Sequence, residues 1–193
     1  MPRAFLAVLL DDALKGSLRA VQDSAKQRLA AHLDRSVRIQ WVRPEALHVT
    51  LKFLGEIEDG QVELIKEGLR PAVQEAHAMT VVLTHLGVFP DVLWVGCRSS
   101  SEVTALVDLA DAVDRALTSL GFEPEGRLFQ PHLTLARIKD GARSFGQALL
   151  RSGLLDRDAP IGICQVGHLH LMQSVLRPSG PAYSPLWSLA LRP

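Results

Sequence analysis

Apolar positions along the chain follow two alternating rhythms. Ala4 to Leu10 is an unbroken apolar run of seven, stopped by Asp11 and Asp12. It is too short for a membrane span, lacks a small-residue cleavage site behind it, and predicts a buried strand. Leu14, Leu18, Val21, Ala25 and Leu29 then recur at steps of four, three, four and four, the stripe of a helix laid on a sheet, with Asp11 or Asp12 as its cap. After a turn around Pro44, Leu47 to Leu54 predicts a strand closed by Gly55. A helix with Asp59 as cap and Val62, Ile65, Leu69 and Val73 as its buried face follows, and the β-rich run Met79 to Phe89 completes strand, helix, strand, helix, strand.

The rhythm then starts again. Val92 to Cys97 predicts a strand, and Ser99-Ser100-Ser101-Glu102 reads as a capping box for a helix striped by Val103, Leu106, Ala110, Val113, Leu117 and Leu120 and ended by Gly121. Gln130 to Ile138 predicts a strand, residues 142–152 a short helix, Ile161 to Leu171 one long strand, and Tyr183 to Leu191 a last one. Each half therefore sets a central strand between two helices. The chain reads as a single bilobal domain with approximate halves 1–90 and 91–193, the boundary near residues 88–92. Strands alternating with helices also fit a doubly wound parallel sheet, but Leu10 runs straight into Asp11-Asp12, so that fold's Gly-rich phosphate turn is missing.

Composition narrows the class. At 193 residues with 47% hydrophobic and 22% charged content the chain suits one globular unit that needs no staple. Twenty-one Lys+Arg balance twenty-one Asp+Glu, which excludes a protein held on long nucleic acid mainly by net charge. Cys97 and Cys164 lie in apolar runs without a Cys-x-x-Cys partner and read as reduced core thiols, so the cytoplasm is the expected address.

The two central strands carry the same tetrapeptide pattern, His48-Val49-Thr50-Leu51 and His132-Leu133-Thr134-Leu135. On a strand the His and Thr of each share one face, while Val49, Leu51, Leu133 and Leu135 point the other way. Six Thr and seven His in 193 residues give roughly 0.2 such His-x-Thr pairs by chance, and two stand at equivalent places. One imidazole and one hydroxyl from each half form a set suited to acid–base chemistry: one His takes a proton, the other gives one, and two hydroxyls donate to the oxygens where charge builds. This chemistry needs no metal or other cofactor, and no carboxylate cluster surrounds the motifs to hold two divalent ions.

These motifs resemble those of the 2H phosphoesterases, and within them the RNA 2′,3′-cyclic phosphodiesterases, also called 2′-5′ RNA ligases. The resemblance extends to Trp41-Val42-Arg43-Pro44-Glu45 and Leu47 to Gly55, to Phe129-Gln130-Pro131 and Ala136-Arg137 around the second motif, and to Gly87-Val88-Phe89-Pro90, Val92-Leu93-Trp94 and Gly180-Pro181-Ala182-Tyr183. Gln173 departs from it, standing where the family often has Glu. The resemblance implies an α+β fold of two pseudo-symmetric lobes, each an antiparallel β-sheet backed by helices, around a central groove carrying both motifs. It implies hydrolysis of terminal 2′,3′-cyclic phosphates on RNA ends or nucleotides, with His132 as base and His48 as acid, and the reverse 2′-5′ joining. By symmetry of the two pairs the sequence alone does not order the histidines. The alternatives are another cyclic or 2′-5′ phosphoester, or an RNA-end-binding module without turnover.

Further substrate contacts are expected around the motifs. Lys52, two residues past Thr50, shares the face of His48 under strict alternation; it reaches the phosphate or is a solvated strand-end lysine. Arg137 matches the resemblance, yet alternation turns it away from His132 unless the strand bulges near Ala136. Phe129 and Trp41 are placed to stack on a base or to join the core, and Arg127 is a more distant candidate for the RNA backbone. His168 and His170 share a strand face, with no third metal ligand in reach by sequence, and read as a solvated or groove-lining strand. His32, His77 and His85 read as surface or helix-end residues, and no obligate protein partner is evident.

Overall fold

The apolar run near the N-terminus becomes an interior strand, β1 (Arg3–Leu9), covered on both faces. Ala4, Leu6 and Val8 enter the main core, whereas Phe5 and Ala7 join a smaller apolar cluster with Met172 on the opposite face. The computed structural model describes residues 2–98, 100–155, 159–177 and 180–193. Its other strands are β2 (Arg38–Trp41), β3 (His48–Glu56), β4 (Met79–Phe89), β5 (Val92–Cys97), β6 (His132–Asp140), β7 (Gly162–Val166), β8 (His168–Arg177) and β9 (Gly180–Ala190). The helices are α1 (Asp12–Ala30), α2 (Gln61–Glu75), α3 (Ser101–Ser119) and α4 (Ala142–Ser152).

The strands form one sheet in the order β7-β4-β5-β6-β3-β1-β8-β9, with β2 also against β6. Every ladder between these strands is antiparallel, which removes the doubly wound parallel option. The two motif strands meet in the middle of the order through a single pair, Val49 with Leu133. On either side of that pair each wing draws strands from both ends of the chain: β4 lies with β5 and β6, and β8 with β1 and β3. Helices α1 and α4 pack together, with α1 on β7 and α4 on β6; α2 and α3 pack together, with α2 on β9 and α3 on β3 and β4. Residues of all four helices enter the same core cluster as Val49 and Leu133, so the helices cover the face opposite the motif side chains.

Helix α1 starts as expected, with Asp11 accepting from the Leu14 N–H at 2.7 Å. Helix α3 is capped by the Ser100 hydroxyl, which accepts from Val103 N–H at 3.3 Å; Ser99 of the expected capping box lies outside the described residues. Asp59 does not cap α2. The helix begins one residue too late for it, with Gly60 in the cap position and no side-chain cap bond. The expected long strand from Ile161 to Leu171 is two strands, because the chain breaks at Gly167 and crosses from the edge of one wing, beside β4, to β1 in the other wing. An apolar run records burial, which continues across the break, and carries no mark of a change of partner. Strand β2 escaped the hydrophobic pattern altogether, its four residues being half-buried at most.

Candidate active site

The register of β3 and β6 builds the centre. Val49 and Leu133 are opposite one another and buried, so their neighbours in each motif face the other side of the sheet. Continuing the antiparallel register from that pair sets His48 across from Thr134 and Thr50 across from His132. The two pairs are thus related by a local two-fold through the Val49–Leu133 contact. All four side chains line one groove of about 1110 Å³.

Both imidazoles are fixed in the same way. His48 Nδ1 lies 2.8 Å from the Ala46 carbonyl and His132 Nδ1 lies 2.8 Å from the Gln130 carbonyl, in each case the residue two before. A carbonyl only accepts, so Nδ1 carries the hydrogen and Nε2 is left to exchange a proton with a ligand. For His48 the carbonyl is delivered by a tight turn at Pro44–Ala46, where Leu47 N–H donates to Pro44 O at 3.2 Å.

The surroundings break this symmetry. His48 is packed between Phe5, with ring centroids 4.8 Å apart, and the edge-on ring of Tyr183 at 5.2 Å. Burial pushes its pKa below the ordinary imidazole value; the Ala46 carbonyl opposes this and the Arg137 charge adds to it. His132 is the more open of the two: its bond to the Gln130 carbonyl lies exposed, while the matching bond of His48 is partly buried. Phe89 stands edge-on to His132 at 5.4 Å, with Trp94 at 6.3 Å. Tyr183 also lines the groove, and burial raises its phenol while the Arg137 charge lowers it, the net being upward. Tyr183 was visible in the sequence only as part of a similar stretch, since nothing local places β9 beside His48.

Bulges decide which later residues reach the groove. On β6, Thr134 pairs with Trp94 and Ala136 with Leu93, so Leu135 has no partner on β5 and the alternation slips by one. Leu135 and Ala136 are both buried, and Arg137 emerges exposed on the groove. The same slip occurs on β3: Thr50 pairs with Ala7 and Lys52 with Leu6, leaving Leu51 unpaired. This corrects the expectation for Lys52, which is neither a free groove cation nor a solvated lysine. It borders the groove, but its ammonium is drawn to α3. The residue is 6% exposed, ion-paired to Asp114, and its Nζ donates to the Glu123 carbonyl at 2.6 Å. Phe53 takes the place equivalent to Arg137, lining the groove at 67% exposure. Sequence reasoning missed Phe53; the signal that finds it is the duplication itself, since Phe53 and Arg137 each lie five residues past their motif His.

The remaining candidates divide. Phe129 lines the groove and also packs on the core, as does Trp41, whose ring is approached by Lys26 Nζ at 5.4 Å. Arg43, Arg127 and Lys139 line the groove as well, and Arg43 donates to the Pro181 carbonyl at 3.3 Å. His168 and His170 have ring centroids 6.0 Å apart on β8; among the described residues no third His, Cys, Asp or Glu joins them. His85 is neither a surface nor a helix-end residue. It sits half-buried in β4 against Trp94, its ring filling the space that a side chain at Gly96 would need. Burial raises the thiols of Cys97 and Cys164, to about 11 and about 12. Among the described residues no helix is long and apolar enough to cross a membrane.

A duplicated His-x-Thr pair on one curled antiparallel sheet, with both imidazoles anchored through Nδ1 and lining a shared groove, is the arrangement of a phosphoesterase of the two-histidine class. The "LigT like Phosphoesterase" family model matches residues 19–96 and 99–183, and the chain belongs to that family. It is 32% identical over 187 residues to an RNA 2′,3′-cyclic phosphodiesterase of Methanothermobacter thermautotrophicus, covering 94% of this chain and 95% of the relative. It is 37% identical over 158 residues to the protein of that name from Aeropyrum pernix, covering 79% and 86%. In fold it is similar to TT0787 of Thermus thermophilus, with a TM-score of 0.74 at 24% identity over 98% of both chains. It is also similar in fold to E. coli LigT complexed with 3′-AMP, with a TM-score of 0.71 at 22% identity over 98% and 97%.

Proposed function

We propose that this protein hydrolyses terminal 2′,3′-cyclic phosphates of RNA to 2′-phosphomonoesters, using two histidines and no metal. The observation that carries the reading is the pair of imidazoles anchored alike through Nδ1, each across the sheet from the other motif's threonine. In the reaction a water oxygen bonds to phosphorus as the bond from phosphorus to the 3′ oxygen breaks. His132, the more open imidazole, takes the proton of the incoming water. His48, shielded by Phe5 and Tyr183, gives its proton to the departing 3′ oxygen, which stays in the groove with the ribose. Its lowered pKa makes it a ready donor, and the bound phosphate anion supplies the opposite charge that keeps it protonated until then.

Thr50 and Thr134 donate to the two non-bridging oxygens, where negative charge accumulates in the transition state. The Arg137 guanidinium supports the same charge. Lys52 takes no part, its charge being committed to Asp114. Phe53 offers an exposed ring on which the terminal base stacks, with Phe129 and Trp41 as outlying walls and Arg127 toward the backbone. The chain acts as one bilobal unit in which residues 1–90 and 91–193 each supply one motif, at work in the cytoplasm where its two thiols stay reduced.

The test is incubation of the purified protein with a cyclic-ended oligonucleotide and with cyclic phosphates of the four nucleosides, with and without EDTA. Phosphorus NMR should show a 2′-phosphate and a rate unchanged by chelator. A 3′-phosphate product overturns the leaving-group assignment, and loss of activity in EDTA restored by a divalent ion overturns the metal-free mechanism. Tight binding of the cyclic end without turnover would make the protein a binding module.

A further inference from the structure

We propose that Gln22 is a positioning residue: its side-chain amide holds the β6 bulge in the shape that turns Arg137 into the groove. Gln22 sits in the middle of the apolar stripe of α1, flanked by Leu18, Val21 and Ala25, and is 2% exposed. An apolar residue would continue that stripe, so a buried amide there calls for partners. It has two. Nε2 donates to the Val42 carbonyl at 2.8 Å and to the Leu135 carbonyl at 2.9 Å, one bond for each of its hydrogens.

Those two carbonyls lie where the sheet runs out of regular partners. Strand β2 leaves β6 after Trp41, and β6 bulges at Leu135 and Ala136. The Leu135 carbonyl also receives the Val42 N–H at 2.9 Å, so Gln22, Val42 and Leu135 close a three-membered knot. Downstream of the knot on β6 is Arg137. Without the amide, the part-buried Val42 carbonyl and the buried Leu135 carbonyl each lose a donor, the latter keeping only the Val42 N–H, and the relief available to β6 is to straighten. Regular alternation would then point Arg137 away from His132 and toward the core face, the orientation the bulge exists to prevent. The inference rests on the reading of the groove as a phosphodiester site in which Arg137 faces the phosphate.

The experiment compares Gln22→Met, which keeps length and burial and removes the donor, in the wild-type and Arg137→Ala backgrounds. Circular dichroism and a cooperative melt confirm folding first. With a cyclic-ended oligonucleotide, Gln22→Met should lower kcat/KM at least tenfold in the wild-type background and less than twofold when Arg137 is already gone. Equal losses in both backgrounds, or wild-type kcat/KM for Gln22→Met, overturn the proposal. Should Gln22→Met not fold, Gln22→Asn, which keeps the amide one methylene short of the carbonyls, is read in the same way. The Arg137 Nε–H resonance gives a readout that does not depend on turnover: it should shift in the Gln22 variant, and an unmoved resonance overturns the coupling. If the wild-type protein opens no cyclic phosphate, the functional reading fails while this resonance still decides the role of Gln22.

Discussion

Replacing Lys52 by Met separates a structural cation from a catalytic one. Lys52 is 6% exposed and its two partners are the Asp114 carboxylate and the Glu123 carbonyl. Removing one member of a buried ion pair costs about 3–5 kcal/mol because the other charge stays behind uncompensated. Here the remaining carboxylate is 22% exposed and keeps the Glu125 N–H at 3.1 Å, which places the loss at the low end, about 3 kcal/mol. For a chain of this size that lowers Tm by roughly 6–12 °C. The double variant Lys52→Met with Asp114→Leu should regain most of it, since an apolar pair of similar volume replaces the ion pair without stranding a charge. Burial pushes the Asp114 carboxyl up, but the Lys52 hydrogen bond, the Glu125 N–H and the Lys52 charge outweigh it and hold it below its ordinary value. The pair's contribution is therefore complete above the ordinary carboxylate range and fades as pH falls through the lowered value, so wild type and Lys52→Met should converge in acid. Calorimetry across pH measures this, alongside kcat/KM well below Tm, which should stay within about threefold of wild type. A hundredfold loss of kcat/KM with Tm unchanged would refute the reasoning and return Lys52 to the phosphate.

Arg137→Ala shows which limb of the pH profile belongs to His48. It removes one of the causes that lower the His48 pKa, so that pKa rises. The limb of the kcat/KM profile that reports His48 therefore moves to higher pH, and a profile in which neither limb moves would remove the Arg137 charge from the causes that shape His48. His48→Ala and His132→Ala should each cost about 10²–10⁴ in kcat, and Thr50→Ala and Thr134→Ala about 2.7–4 kcal/mol in transition-state binding. Steady-state kinetics on folded variants checks both, and near-full activity in either His variant would end the two-histidine mechanism. Phe53→Ala should weaken binding by about 1–3 kcal/mol, read as a raised KM for oligonucleotide with kcat held; unchanged KM would remove Phe53 from the base platform.

The spacing of the two motifs already determined the centre of this protein. A His and a Thr two apart on a strand share a face whatever surrounds them, because the pleat has a period of two, and the duplication of that pair announced a shared groove. The stripe of α1, that of α3 as far as Leu117, and the extent of β4 were equally legible, since each is a local rhythm of burial; Leu120, expected to end the α3 stripe, lies past the helix and is exposed. What the rhythm could not express is where it slips. The bulges at Leu51 and Leu135 arise from the strands laid alongside, and they bury Lys52 and expose Phe53 and Arg137. The bulge suspected near Ala136 had its counterpart on β3, and there strict alternation chose Lys52 where the fold presents Phe53. Likewise, two motifs alike in pattern acquire different environments only when Phe5 and Tyr183, 43 residues before His48 and 135 after it, close over one imidazole and leave the other more open. Side-chain direction within a strand is a local property of the chain, whereas register, bulges and burial are set by partners far away in sequence, and those only the tertiary structure supplies.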